Sequence, residues 1–562
     1  MKIVECVPNF SEGRNMAVID AITKAISDVE GVRLLDVDPG ADTNRTVVTF
    51  IGSPRAVEEG AFAGIRKASE LIDMTTHHGA HARMGATDVC PFIPVSEVTM
   101  EECVEISRRL GKRVGEELGI PVYLYEHSAT TPQRQNLADI RKGEYEALQE
   151  KLHDPDFAPD FGKPVFNPKS GATVTGAREF LIAYNINLNT TDKKLAKDIA
   201  LTIREKGRWQ RDDKGKILRD DKGEKVRQPG MFRECKATGW YIDEYKQAQI
   251  TMNLTNYKIS PVHQVFDACC NLAHEMGLRV TGSELVGLIP RDALLAAGRH
   301  YLEKQGKCRG VSDGDLIRTA IQSLGLEDIS PFDPDKKIIE SFVENDPGAL
   351  VNMTLRDFCD ELSSDSPAPG GGSVAALCGA LSASLSAMVA NLTYDKKGYR
   401  EYNQEMEEIA MKGQDLKKRF NEAIDRDTQA FNQLMAAMKS SAKTDQEKAR
   451  KEQIILEASR EATLVPLSVL EMIPQALEIA HASALRGNRN SISDAGVASL
   501  TAWAAARGAW YNVMINLQGI NHRDFCREIS QRADEVLNIC REASDSVDRL
   551  VADALKPAEA GV

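Results

Sequence analysis

The sequence predicts an α+β front half of two ferredoxin-like β-α-β-β-α-β subdomains, followed by an all-α helical bundle. Three observations predict it. Apolar runs of strand length alternate with helical periodicity in that order over residues 2 to 95. The same order recurs over residues 180 to 288. Beyond Thr354 strand signals give way to long periodic stretches joined by short loops. A chain of 562 residues exceeds what one core supports. The pattern divides it into subdomains 1–179 and 180–332, a linker 333–353 and a helical domain 354–562.

The elements follow in order. KIVECVP (2–8) is a strand, and Met16, Ile19, Ile22 and Ile26 give residues 14–29 a helical apolar stripe. GVRLLDVD (31–38) and RTVVTFIG (45–52) are strands, residues 54–74 a helix and VCPFIPV (89–95) a fourth strand. A helix at 100–118 and a strand at 121–125 extend the unit. In the second unit, strands at 180–188, 239–245, 247–255 and 278–288 are interleaved with helices at 191–206 and 261–276. Two such sandwiches side by side make a natural cleft for a small molecule. Residues 206–232 carry Asp-Asp-Lys-Gly twice and read as a solvated surface hairpin, with a binding loop as the less favoured alternative. The linker holds Pro-Phe-Asp-Pro and Asn-Asp-Pro-Gly. Helices follow at 354–363, 373–393, 400–439, 444–481, 491–518 and 522–554.

Composition excludes several classes. A net charge of −13 opposes nonspecific nucleic-acid binding, so an anionic substrate must be captured by a local basic patch. Eleven cysteines, an odd number without framework spacing, read as reduced thiols in a cytoplasmic protein. The N-terminus lacks an apolar signal core. The apolar stretch 373–392 is dense in Ala, Ser and Gly, which suits close helix packing in a bundle rather than a membrane span.

Chemistry concentrates in GAHARMGATDVCPFIPV (79–95). It puts His81 two residues from Arg83 at the entrance of a strand, an arrangement suited to proton transfer beside an anion. On residues alone, a proton carrier and a satisfied structural histidine are equally good readings. A zinc reading of His77, His78 and His81 lacks further ligands at a supporting spacing. Three segments accompany the motif. The turn Val7–Gly13, with Asn9, presents polar groups where a strand hands over to a helix. Asp36 and Asp38 share one strand face, where a carboxylate can orient an imidazole or simply start the turn before Pro39-Gly40. Gly162-Lys163-Pro164-Val165-Phe166-Asn167-Pro168-Lys169-Ser170-Gly171 is either a cradle for a flat heterocycle or a plain connection. In the helical half, Gly370, Gly371 and Gly372 precede a helix and leave its first N–H groups accessible. Asp427 and Phe431 share a helix face at i and i+4, an acid beside an aromatic wall.

Together these segments resemble the bifunctional family of glutamate formimidoyltransferase fused to formimidoyltetrahydrofolate cyclodeaminase. VECVPNFSEG, LLDVD with TNRTV, RMGATDVCPFIPV, GATVTGAREFLIAYNINL and SELVGLIP resemble its transferase half. SPAPGGGSVAAL, the DRDTQAF helix and YNVMINL resemble its deaminase half. The departures are the insertion 206–232 and the flanks Ala80 and Ala82, where the family carries Glu and Pro. The resemblance implies His81 as the transferase histidine, Asp38 as the group that holds it, Gly162–Gly171 as the folate-binding stretch and Asp427 as the deaminase acid. Gly370–Gly372 would line the second folate, and Arg45, Arg83 or Arg178 would hold glutamate carboxylates in forked pairs. The implied chemistry is formimino transfer between N-formimino-L-glutamate and N5 of tetrahydrofolate, then ring closure to 5,10-methenyltetrahydrofolate with loss of ammonia, late in histidine degradation. Tetrahydrofolate enters as co-substrate, with no metal, and the partners are small molecules and further copies in a ring of dimers. The alternative on the same folds is formyl transfer or methenyltetrahydrofolate cyclohydrolase activity. Retention of His81, Asp38, Asp427 and the glycines weighs against an inactive oligomeric scaffold.

Overall fold

The computed structural model describes residues 2–41, 43–79, 81–344 and 350–556. Asp42 in the turn after Asp38, Ala80 beside His81, and 345–349 of the linker lie outside the described residues.

The first sheet is built from β1 (Ile3–Cys6), β2 (Asn9–Phe10), β3 (Val32–Gly40), β4 (Arg45–Gly52), β5 (Thr87–Ser96), β6 (Val122–Glu126) and β7 (Thr173–Ala177). Both β1 and β2 lie between β4 and β5, and their registers are continuous: Cys6 faces Phe50 and Asn9 faces Val47. They act as one interrupted strand. The order is therefore β3, β4, β1/β2, β5, the antiparallel ferredoxin-like arrangement, which β7 and β6 extend in parallel. Helices α1 (Met16–Ser27), α2 (Pro54–Leu71) and α3 (Met100–Glu117) cover one face. Their starts are set locally: the side chains of Asn15, Ser53 and Thr99 cap the first free N–H groups. The sequence pattern misses β7. Its run TVTGA is fully buried on both faces, so neither alternation nor large apolar residues mark it. Two short turns, α4 (Leu137–Ile140) and α5 (Leu148–Lys151), lie in the segment between β6 and β7.

The second sheet repeats the plan. With β8 (Ile182–Leu188), α6 (Lys193–Ile203), the ribbon β9/β10 (Arg208–Trp209, Arg227–Gln228), β11 (Cys235–Ile242), β12 (Gln247–Leu254), α7 (Val262–Glu275) and β13 (Val280–Val286), its order is β11, β12, β8, β13. In the insertion each Asp-Asp-Lys-Gly folds the same way: Asp212 and Asp220 each accept two backbone N–H groups, and Gly215 and Gly223 adopt φ of 77° and 80°.

The linker expectation needs correction. Within residues 333–342 the chain packs: α10 (Pro334–Lys337) leads into buried Ile338 and Ile339, and Ile338 bridges to Ile289. The chain groups into two compact units, Met1–Ala293 with Leu324–Glu344, and Leu294–Ser323 with Asn345–Val562. Most of the helix Arg291–Lys304 and of the helix Asp313–Leu324 thus groups with the second unit, for which the sequence offers no signal.

The second unit is helical: α12 (Leu355–Leu362), α13 (Gly371–Thr393), α14 (Asn403–Lys439), α15 (Asp445–Arg486), α16 (Ile492–Leu517) and α17 (Arg523–Leu555), numbered after α8, α9 and α11 (Arg291–Lys304, Asp313–Leu324, Ser341–Glu344). Small residues set the packing distance. A Cβ on Gly379 would fall 2.6 Å from the Phe420 ring, so α13 and α14 approach as closely as they do because that side chain is missing. By length and hydropathy α13 and α15 contain windows that could cross a membrane, but 61% and 67% of those windows are buried against the rest of the unit.

Candidate functional site

Strand alternation builds the front site. Val4, Cys6, Val48, Phe50, Cys90 and Phe92 point into the core beneath α1–α3. Their neighbours Glu5, Asn9, Thr49 and Val89 therefore point to the opposite face, where with Asp36 and Asp38 they line a cavity of about 750 Å³. Ala183, Lys236, Asn253 and Val286 of the second sheet line it too.

Two arginines line one end of this cavity. Asp88 is fully buried and accepts from Arg45 Nη1, from Arg141 Nη2 and from the Met84 N–H. Arg45 Nε also donates to Asn9 Oδ1 at 2.9 Å. One carboxylate thus fixes two guanidinium groups that line the cavity. Arg141 escapes the sequence reading. It follows the four-residue α4, and no pattern separates it from the neighbouring Lys142.

His81 lies against this cluster. Its Nδ1 is 2.7 Å from the Ala82 carbonyl and 3.3 Å from Arg45 Nη1. A carbonyl oxygen cannot donate, so Nδ1 carries the proton, and the Nε2 lone pair is the one left to act as a base. Burial, then the nearby Arg45, hold the imidazole below its usual range, against the opposing Ala82 hydrogen bond. The ring is therefore neutral at physiological pH.

Several expected roles are redistributed. Asp38 does line the cavity beside Asp36, whose carboxyl is raised by burial and then by Asp38. Among the described residues, however, the His81 ring hydrogen-bonds to the Ala82 carbonyl, with Arg45 beside it as a neighbouring charge, so the backbone rather than Asp38 holds it. Arg83 is corrected as a glutamate ligand: it is buried and its guanidinium is spent on Glu144, Glu146 and His77. His77 in turn donates from Nε2 to the Asn44 carbonyl at 2.9 Å and accepts from Arg83 on Nδ1, a structural histidine. Arg45 and Arg178 do line the cavity. The stretch Gly162–Gly171 lies outside that lining. Its C-terminal end braces the loop after His81: the Ala86 N–H donates to Ser170 O, and Gly85 bridges to Gly171. A Cβ on Gly171, where φ is 65°, would sit 2.2 Å from Met84 O, which explains that glycine. Gly162–Val165 is exposed.

In the helical unit the predicted residues do meet. Asp427 on α14 faces the first turn of α13, where Ser373 Oγ lies 3.3 Å from Oδ2 and the Ser373 N–H also donates to the carboxylate. A Cβ on Gly372 would fall 2.1 Å from Asp427 Oδ1. The glycine therefore permits the carboxyl to approach the helix terminus. Burial raises the Asp427 pKa, and the Ser373 hydrogen bonds only partly offset it. Asn512 on α16, in the YNVMINL stretch, abuts Gly371, with Nδ2 3.2 Å from where a Cβ would stand. Gly370 has open space around it.

Comparison with known proteins covers all three regions. The profile of the formiminotransferase domain, N-terminal subdomain, matches residues 3–178, and that of the formiminotransferase domain matches 183–344. The formiminotransferase-cyclodeaminase profile matches 354–535. The formimidoyltransferase-cyclodeaminase of Sus scrofa is 43% identical over 554 residues, covering 98% of this chain and 99% of the relative. The glutamate formimidoyltransferase of Streptococcus pyogenes serotype M1 is 43% identical, covering 54% of this chain and 94% of its own. A methenyltetrahydrofolate cyclohydrolase of Methylorubrum extorquens is 38% identical over 199 residues, covering 35% of this chain and 94% of its own.

Proposed function

The chain belongs to the formimidoyltransferase-cyclodeaminase family, and from that premise we propose how its residues divide the work. The protein is a bifunctional folate enzyme: a glutamate formimidoyltransferase and a formimidoyltetrahydrofolate cyclodeaminase. In the first step N5 of tetrahydrofolate attacks the formimino carbon of N-formimino-L-glutamate. His81 Nε2 takes the N5 proton as that bond forms, then returns it to the glutamate nitrogen as the old C–N bond breaks. Arg45 and Arg141 hold the glutamate carboxylates, and the exposed edge Gly162–Val165 guides the part of folate that projects from the cavity. In the second step N10 attacks the formimino carbon now carried on N5. The reacting atoms belong to one molecule, so the chain must chiefly supply a proton to the departing nitrogen. The Asp427 carboxyl, its pKa raised by burial, gives that proton from its protonated form, the N10 proton passes to solvent, ammonia leaves, and the 5,10-methenyl ring remains. Gly370–Gly372 line this folate.

The observation that carries the reading is the His81 ring, its Nδ1 hydrogen-bonded to the Ala82 carbonyl, beside two arginines pinned by Asp88. The test is incubation with 5-formiminotetrahydrofolate, with and without glutamate. Methenyl product and ammonia without glutamate report the deaminase; formiminoglutamate formed on adding glutamate reports the transferase. Formation of neither would reject the reading. The cyclohydrolase relative supports a second reading for the helical unit, reversible opening of the methenyl ring by water.

The pathway placement is histidine breakdown, supported by the chemistry of the formimino donor. Eleven cysteines without a disulfide support a reducing, cytoplasmic setting. Exposed Val497, Leu500, Tyr511 and Ile515 recur at helical spacing along α16 and support association of copies through the helical unit.

A further inference from the structure

Glu5 has no role in the transfer as described. It is 3% exposed, sits on the central β1 and lines the cavity. Among the described residues no hydrogen bond to its carboxyl is found; the charged groups acting on it are Arg178 and Glu340. Burial pushes its pKa up to about 7, with Arg178 opposing. A carboxyl this buried without a hydrogen-bond donor is costly unless a ligand supplies one. Arg178, which also lines the cavity and reaches the buried Tyr125 phenol, lies on the same side. Because β1 and β2 keep one register against β4, Glu5 and Asn9 share a face four residues apart, roughly 13 Å at ~3.3 Å per residue. Asn9 marks the His81 end, through Arg45.

We propose that Glu5 and Arg178 form the subsite that reads the pyrimidinone edge of the pterin. That edge presents the 2-amino group, N3–H and the 4-oxo oxygen in a row: two donors and an acceptor. Two carboxylate oxygens and one guanidinium N–H are its complement, in the forked geometry that favours planar recognition. A fused bicyclic ring with a hydrogen bond at each end is comparable in length to the ~13 Å between Glu5 and Asn9 along the strand, so a pterin read by Glu5 directs N5 toward the end marked by Asn9 and Arg45, beside which His81 lies. The subsite rests on the transferase reading of this cavity.

The test measures glutamate release with tetrahydrofolate and with its 2-desamino analogue as acceptors, in wild type, Glu5→Gln and Glu5→Asp. Wild type should prefer tetrahydrofolate by about tenfold or more in kcat/KM, since a site built for a donor is left unpaired by its loss. Glu5→Gln should raise KM for tetrahydrofolate by about tenfold while kcat and KM for formiminoglutamate hold, and the preference should collapse. Glu5→Asp, which keeps the charge but not the reach, should fall between the two. Equal use of both acceptors by wild type, or full preference retained in Glu5→Gln, would overturn the subsite. Absence of any transfer by wild type would instead reject the underlying reading, and this subsite with it.

Discussion

The two candidate sites use burial in the same way and obtain opposite chemistry. Removing a group from water disfavours its charged form whatever its sign. At the front, burial and Arg45 hold the His81 pKa down and favour its neutral form, which suits the proposed role of base. In the helical unit, burial raises the Asp427 pKa and so favours its protonated form, which suits the proposed role of acid. The means of placement differ. The front site is assembled by strand alternation, which turns every second residue of the first sheet toward the cavity, and Asp88 then fixes the arginines. The rear site depends on a missing side chain at Gly372, which brings a carboxyl against a helix terminus.

The largest expected effects break this comparison at its two centres. His81→Ala should lower transferase turnover by about 10²–10⁴-fold and leave ring closure intact, as the loss of a general base predicts. Asp427→Ala should do the reverse. Stopped assays of glutamate and of methenyl product separate the two, and equal loss of both activities in a folded variant would refute separate sites. Next in size is Arg141→Ala. It should raise KM for formiminoglutamate by about tenfold or more, as loss of a charged hydrogen bond of ~1.5–3 kcal/mol implies. Gly372→Ala should slow ring closure by about tenfold while the melting temperature changes little. The group it meets is the mobile end of the Asp427 side chain, so the carboxyl is displaced rather than the fold strained. Smallest in activity is Arg83→Ala. It should leave KM for formiminoglutamate unchanged and cost about 1–3 kcal/mol of stability by thermal melting, because its partners are Glu144, Glu146 and His77. A rise in KM would restore Arg83 as a substrate ligand.

The sequence was legible where periodicity is strong. Both β-α-β-β-α-β orders and the helices from α13 to α17 fall where the apolar spacing predicts them, because packing there follows a period of 2 or 3.6. The ferredoxin-like order of the sheets also follows from that element order. What escaped depends on three-dimensional closure. Arg141 and Glu5 carry no spacing that marks them, and each matters through what the folded sheet sets opposite it. Asp38 was expected to hold His81 because strand alternation gives its face, but alternation gives no reach across the sheet, and a backbone carbonyl is closer. Arg83 was expected to bind substrate because it neighbours His81, yet the turn after His81 sends it inward to two glutamates. Gly372 and Asp427 were each visible alone, and their contact across 55 residues appears only in the packed unit.

The opposite use of burial at the two sites is read most directly in the pH profile of both half-reactions in the same preparation. Transferase kcat/KM needs neutral His81, so it should rise with pH through a pKa below the ordinary 6.5 and then level off. Ring closure needs protonated Asp427, so its rate should fall with rising pH through a pKa above the ordinary 3.8. Profiles bending in opposite directions, with each limb abolished by its own substitution, are the expected result. Two profiles that rise together, or a transferase limb that survives in His81→Ala, would contradict the claim that burial makes a base of one group and an acid of the other.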